Sequence, residues 1–267
     1  MKAILTDITK CTGCEKCVEA CVTENKLGKV SPWRWISNDG LSSERFTSII
    51  RKQGGHYIRK MCRHCVEPAC VSVCPVGALQ KTKEGPIIYD SNKCLGCRYC
   101  MMSCPYGIPR YSWENNVPYV RKCTMCYNRI QQNKIPACVE ECPEEATIFG
   151  ERDELIKEAK HRIAAKPNHY VKKIYGEFEV GGTSVIYISD IKLDFLGWRK
   201  DPGKRTSPSL TKLAMHSVLP AFLSVGAVMY GIYWITERRN KVQMYDKQKE
   251  SLNNSDDREN ENEVENS

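Results

Sequence analysis

Residues 94–105 read Cys94-Leu95-Gly96-Cys97-Arg98-Tyr99-Cys100-Met101-Met102-Ser103-Cys104-Pro105. Three cysteines, each two residues from the next, wrap one short loop around three corners of an iron–sulfur cube. The fourth thiol cannot come from the same tight loop, and in two-cluster ferredoxins that distal cysteine ligates the other cube. Cys11, Cys14, Cys17 and Cys21 repeat the spacing. Two further groups are looser. Cys62, Cys65, Cys70 and Cys74 leave four residues between the second and third cysteines, and Cys123, Cys126, Cys138 and Cys142 leave eleven. All 16 cysteines of the 267-residue chain fall in these four groups, and the last 125 residues contain none. Four groups of four make four complete [4Fe–4S] clusters, with no ligand missing and none left over.

Other uses of cysteine fit less well. The chain is too long for a small disulfide-stapled scaffold, and tandem triplets three residues apart do not suit disulfide pairing. Structural zinc takes pairs of C-x-x-C knuckles, so the third cysteine of each triplet would be redundant. Which group lends its last cysteine to which is less fixed. The second and fourth groups, with expanded spacings, each need a tightly spaced partner. A nested scheme (first with fourth, second with third) satisfies this, and so does an adjacent one. Nesting gives the ligand sets Cys11, Cys14, Cys17 and Cys142; Cys123, Cys126, Cys138 and Cys21; Cys62, Cys65, Cys70 and Cys104; and Cys94, Cys97, Cys100 and Cys74.

Around the cysteines the pattern predicts short strands at Tyr57-Ile58, at Pro86-Ile87-Ile88-Tyr89 and at Val117-Pro118-Tyr119-Val120. Residues 151–165 place Leu155, Ile156, Ala159 and Ile163 on one helical face. Val185-Ile186-Tyr187-Ile188 follows Gly181-Gly182 and predicts a strand after a turn. Residues 196–212, rich in proline, glycine and charge, predict an exposed linker. The next 24 residues, 213–236, carry no Asp, Glu, Lys or Arg. As a helix they would span about 36 Å, enough for a ~30 Å hydrocarbon core, with Tyr230, Tyr233 and Trp234 at one end where amphipathic rings favour the membrane interface. His216 lies four residues beyond Lys212, where an interfacial imidazole is unremarkable. Residues 237–267 predict a basic flank and a disordered acidic tail. No secretory or twin-arginine leader precedes Cys11, and the five Lys/Arg in 199–212 match the five in 238–249, so charge alone gives no membrane orientation.

The formal charge of +8 invites a nucleic-acid partner. The tail contributes −4, which leaves +12 on residues 1–239. Four thiolate-bound cubanes bring about −8 between them. The basic excess is then largely their counter-charge, and no nucleic acid is expected. A zinc-rich basic scaffold that binds nucleic acid, and a free ferredoxin without partners, are the competing classes. No nucleophile–base pair emerges that would make the chain catalytic by itself.

The residues around the cysteines resemble those of a known family. Cys17-Val18-Glu19-Ala20-Cys21-Val22-Thr23-Glu24-Asn25, His64-Cys65-Val66-Glu67-Pro68-Ala69-Cys70, Cys74-Pro75-Val76-Gly77-Ala78, Cys104-Pro105-Tyr106-Gly107-Ile108-Pro109-Arg110 and Pro136-Ala137-Cys138-Val139-Glu140-Glu141-Cys142-Pro143 look like the four-cluster ferredoxin-type subunits of membrane oxidoreductases. That family includes the electron-transfer subunits of dimethyl sulfoxide reductase, respiratory formate dehydrogenase and hydrogenase-2 type uptake hydrogenases. Gly181-Gly182-Thr183-Ser184 before a strand, and a C-terminal span with Leu219-Pro220 closed by Arg238-Arg239-Asn240, resemble the hydrogenase-2 type, with the formate dehydrogenase type next. The resemblance covers residues 1–239.

It implies an α+β fold of two ferredoxin-like dicluster modules, nested in sequence, plus one C-terminal transmembrane helix. The expected modules are 1–30 with 115–165, and an inserted 55–114; a strand-containing extension, 166–195, follows. The implied cofactors are four [4Fe–4S] clusters. The implied partners are a large catalytic redox subunit (a [NiFe] hydrogenase, or a molybdenum or tungsten formate dehydrogenase), an integral membrane quinone-reactive or cytochrome b-type subunit, and membrane lipid. The hydrogenase-2 type usually carries a twin-arginine signal. Its absence here leads us to expect a cytoplasmic-membrane protein whose cluster domain lies on the periplasmic face, exported with a signal-bearing partner. Processing or truncation, or a cytoplasmic cluster domain, are the other readings.

Overall fold

The chain divides into a cysteine-bearing body, residues 1–210, and a C-terminal unit, residues 211–267. A computed structural model describes residues 1–28, 38–113, 120–196, 203 and 206–265. The 117–119 part of one expected strand, and residues 197–202, 204 and 205 of the expected linker, lie outside them.

Strand β1 (Lys2–Asp7) leads through a one-turn 3-10 helix into the first cysteine loop and helix α1 (Lys16–Glu24). Strands β2 (Thr47–Lys52) and β3 (His56–Met61) form an antiparallel hairpin turned at Gly54 and Gly55, both at positive φ. Helix α2 (Ala69–Ser72) carries the second cysteine group into the antiparallel pair β4 (Leu79–Lys81) and β5 (Ile87–Tyr89). Then come α3 (Tyr99–Ser103), the paired β6 (Arg110–Tyr111) and β7 (Val120–Arg121), α4 (Tyr127–Gln131) and α5 (Ala137–Glu140). The body continues through β8 (Thr147–Glu151), α6 (Arg152–Ala165) and β9 (Val185–Ile188).

Chain ends far apart in sequence close on one another. β1 pairs antiparallel with β8 and parallel with β9, giving a sheet in the order β8-β1-β9. Side chains alternate across a strand, and here both faces are covered. Ile4, Val185 and Tyr187 enter the core shared with the cysteine loops, while Ala3, Leu5, Ile186 and Ile188 meet Leu155 and Ala159 of α6. That double burial is why these strands read as continuous apolar runs. α1 packs on α5, and α2 on α3, so the first group meets the fourth and the second meets the third.

Three boundaries differ from the sequence expectation. The hairpin begins at Thr47, so a module starting at residue 55 cuts it in two. The 166–195 extension supplies a strand to the first module's own sheet and so does not stand apart. Helix α7 begins at Ser207, inside the expected linker, and runs through the expected disordered tail to Glu265. No glycine or proline follows Gly231, and Glu, Lys, Arg and Gln propagate a helix once it is nucleated. The stretch Pro208–Lys247 is long and apolar enough to cross a membrane. Within it, Ser217, Ser224 and Thr236 return their hydroxyls to the carbonyls of Ala214, Pro220 and Ile232, as a bilayer requires of polar groups.

Candidate metal centre

Each cysteine loop is built by the same local device. The third residue of the first C-x-x-C in each group lies at positive φ: Gly13, His64, Gly96 and Met125. Two of the four are not glycine, so tertiary packing holds them in the left-handed region. This conformation turns successive backbone N–H groups to one side, forming a concavity that receives anions. The N–H of Gly96 donates to Cys94 Sγ at 3.4 Å and that of Met125 to Cys123 Sγ at 3.2 Å. Gly13 bonds Cys11 likewise. The tightly spaced loops share a second left-handed residue, Glu15 and Arg98. Both are also entered identically. Asp7 and Asp90 accept the N–H of Thr9 and Asn92, capping the 3-10 turns that end at Cys11 and Cys94. The repeated Asp-x-x-Lys-Cys at 7–11 and 90–94 was the sequence signal for this cap.

All sixteen cysteines are free thiols. Cys11, Cys14, Cys17 and Cys142 line one cavity. Burial pushes the Cys17 thiol up to about 11, with Cys138, Cys11 and Cys142 adding to the rise. Burial likewise raises Cys126 to about 11 and Cys21 further, each with Cys138 beside it. In the second pair of groups, burial raises Cys70 to about 12 beside Cys62 and Cys104, and Cys100 to about 11 beside Cys94, Cys97 and Cys74. Cys65 rises beside Cys62, Cys104 and Cys70. Cys123 is fully buried and feels both Cys21 of its own module and Cys62 of the other. Only Cys14 and Cys97 are exposed.

Among the described residues no three Cys, His, Asp or Glu side chains converge closely enough to hold a single metal ion. Structural zinc needs that convergence, whereas ligands of a polynuclear cluster stay apart, each on its own iron. Buried thiols spread around cavities, met by inward N–H groups, therefore fit cubanes better than zinc.

Cations lie inside the body as well. Arg59, Arg63 and Lys122 are buried. Arg63 donates to the Tyr175 carbonyl and stacks on the Tyr106 and Tyr187 rings. Lys122 donates to the Ile87 and Cys123 carbonyls. Lys81, bonded to the Cys65 carbonyl, is pushed down to about 8 by burial. The His64 ring is buried, accepts the Ile87 N–H at Nδ1, and leaves Nε2 without a partner. A sequence signal for two of these existed: Arg59-Lys60 and Arg121-Lys122 sit just before the second and fourth groups.

Models of the 4Fe-4S dicluster domain match residues 10–78 and 54–152. The chain is 35% identical to a protein of Nitratidesulfovibrio vulgaris strain Hildenborough, over 90% of this chain and 68% of the relative. It is 33% identical to the hydrogenase-2 operon protein HybA of Escherichia coli O157:H7, over 91% of this chain and 86% of the relative. The iron-sulfur subunit of the nitrate-inducible formate dehydrogenase of Escherichia coli K12 is 34% identical over 82% of this chain and 79% of its own length. With its sixteen cysteines in four loops, the chain belongs to the family of four-cluster 4Fe-4S iron–sulfur subunits, HybA among them, that serve electron transfer in oxidoreductase complexes.

Proposed function

We propose that the chain relays single electrons between a catalytic subunit, a [NiFe] hydrogenase, and a quinone-reactive subunit in the membrane. The proposed ligand sets are Cys11, Cys14, Cys17 and Cys142; Cys21, Cys123, Cys126 and Cys138; Cys62, Cys65, Cys70 and Cys104; and Cys74, Cys94, Cys97 and Cys100. A [4Fe–4S] cluster, when bound, takes up and gives out one electron. The chain's own part is to hold four of them close together, exclude water and offset their charge.

The observation that carries this reading is that the helix of the first cysteine group packs on that of the fourth, and the helix of the second on that of the third, which brings the groups together in two pairs. Cys14 and Cys97 are the exposed cysteines, one in each proposed pair. In the proposed arrangement electrons enter and leave at the sets that hold them. Leu95, Tyr99 and Met102 are exposed around Cys97. An apolar surface of this kind suits a permanent protein partner. The chain itself supplies no catalytic site and acts as a conductor. The apolar span of α7 supports attachment to a membrane, and the proposal places the cysteine body on the periplasmic face of the cytoplasmic membrane, exported with a signal-bearing partner. The second reading, the iron–sulfur subunit of a molybdenum or tungsten formate dehydrogenase, is favoured by the similarity to the formate dehydrogenase subunit.

Purification from membranes in mild detergent, followed by iron and acid-labile sulfide analysis and peptide mass mapping, tests the proposal. The expected result is about 16 irons and 16 sulfides per chain, with a co-purifying hydrogenase large subunit. Zinc without sulfide would sink the relay, and a molybdopterin-containing partner would select the second reading.

A further inference from the structure

We propose that Arg59 is a positioning residue for charge, donated by the second module's hairpin into the first module, where it raises the reduction potentials of the two clusters held there. The proposal rests on the relay reading and its ligand sets.

Arg59 lies on β3, three residues before Cys62, yet its side chain does not serve the adjacent group. It lines the cavity of Cys11, Cys14, Cys17 and Cys142. The groups acting on it most are Cys138, Cys17, Tyr187 and Cys123, with no carboxylate among them. It therefore borders both proposed ligand sets of the first module. The residue is 2% exposed. One Nη donates to Met61 Sδ at 2.8 Å, while Nε and the other Nη have no partner among the described residues. A buried guanidinium with idle donors and no counter-ion is costly unless an anion is present. Its neighbour in the other module is built differently: Arg63 is occupied by the Tyr175 carbonyl and two aromatic rings.

A reduced cubane carries one more negative charge than an oxidised one. A fixed cation nearby stabilises the reduced form more, and a low local dielectric magnifies the effect. Removing the cation should lower the potential of the two adjacent clusters and leave the two in the second module nearly unmoved.

The test is an EPR-monitored redox titration of the detergent-purified full chain, comparing wild type, Arg59→Gln and Arg59→Lys at equal iron content. In Arg59→Gln, two of the four one-electron transitions should shift to lower potential by at least tenfold in the redox equilibrium, about 59 mV each. Arg59→Lys, which keeps the charge, should retain most of the wild-type values. A Gln variant that fails to load clusters while the Lys variant loads them also supports the charge role. Four unshifted transitions in a loaded Arg59→Gln would overturn it. So would equal shifts in Gln and Lys, a shift spread over all four transitions, or failure of both variants to load. A wild-type chain with fewer than four transitions would instead refute the relay reading.

Discussion

Gly13 offers the sharpest test of how the first cysteine loop is held. It lies at φ +74°, and a Cβ added there would sit 2.3 Å from Tyr57 Cδ1 and 2.6 Å from both Cγ and Cε1. Ordinary carbon contacts are about 3.5–4.0 Å, so the loop and the ring must separate by roughly 1 Å. Cγ is the root of the ring, so a ring flip about χ2 does not relieve the clash, and either the Tyr57 χ1 rotamer or strand β3 must change. Gly13→Ala therefore combines the left-handed backbone penalty, about 1–2 kcal/mol, with overpacking, about 1–3 kcal/mol. The total, about 2–5 kcal/mol, is a large part of an ordinary domain's stability of about 5–15 kcal/mol. Gly77 is the control, because it shares the left-handed backbone (φ +62°) but has nothing within 4 Å of an added Cβ. Gly77→Ala should cost only the backbone part. Anaerobic thermal unfolding, followed by cluster absorbance and iron per chain, measures both. Adding Tyr57→Ala to Gly13→Ala should recover the packing part, as a double-mutant cycle. If Gly13→Ala proves no worse than Gly77→Ala, or Tyr57→Ala recovers nothing, the buttress between loop and hairpin is refuted.

Three further outcomes are expected. Asp7 is fully buried and accepts from Thr9, Tyr170 and Arg162, so Asp7→Ala should destabilise by about 1–3 kcal/mol by leaving the Thr9 and Tyr170 hydroxyls without their acceptor, while Arg162 keeps Glu158; Asp90→Ala should cost about 1 kcal/mol, both read by denaturant unfolding. Cys142→Ala should lower iron from about 16 to about 12 per chain and expose Cys11, Cys14 and Cys17 to alkylation, whereas labelling of Cys94, Cys97 and Cys100 would establish adjacent pairing. Glu151 is clamped by Lys2 and the N-terminal amine at 2.8 and 2.7 Å, which hold its carboxyl down at about 2. Its depressed pKa means that the stabilisation is present above the ordinary 4.5 and is lost as pH falls towards 2. Because the site is well exposed, Glu151→Gln should cost at most ~1 kcal/mol at neutral pH, with the difference unchanged down to about pH 5.

The basic excess takes on a location in the structure. Arg59, Arg63 and Lys122 are inside the body, within reach of thiols or their carbonyls. Counter-charge on residues 1–239 is thus partly internal, which a net count cannot reveal.

What the sequence determined by itself was whatever a contiguous stretch can encode. C-x-x-C spacing fixes how a loop can wrap a cube, and sixteen cysteines fix how many cubes are served. An uncharged run of 24 residues fixes a span, and the apolar face of Leu155 and Ala159 fixes a helix. Strand β3 was legible at Tyr57-Ile58, but its partner β2 and the continuation of α7 were not. Strand β2 alternates weakly, and a polar helix carries no apolar period to detect. Only the tertiary structure brought Cys142 to the cavity of Cys11, closed β1 between β8 and β9, forced His64 and Met125 into left-handed turns, and turned Arg59 away from the cysteines nearest in sequence towards those of the other module. Those outcomes depend on burial and on contacts between segments more than a hundred residues apart, and no local pattern of residues carries that information.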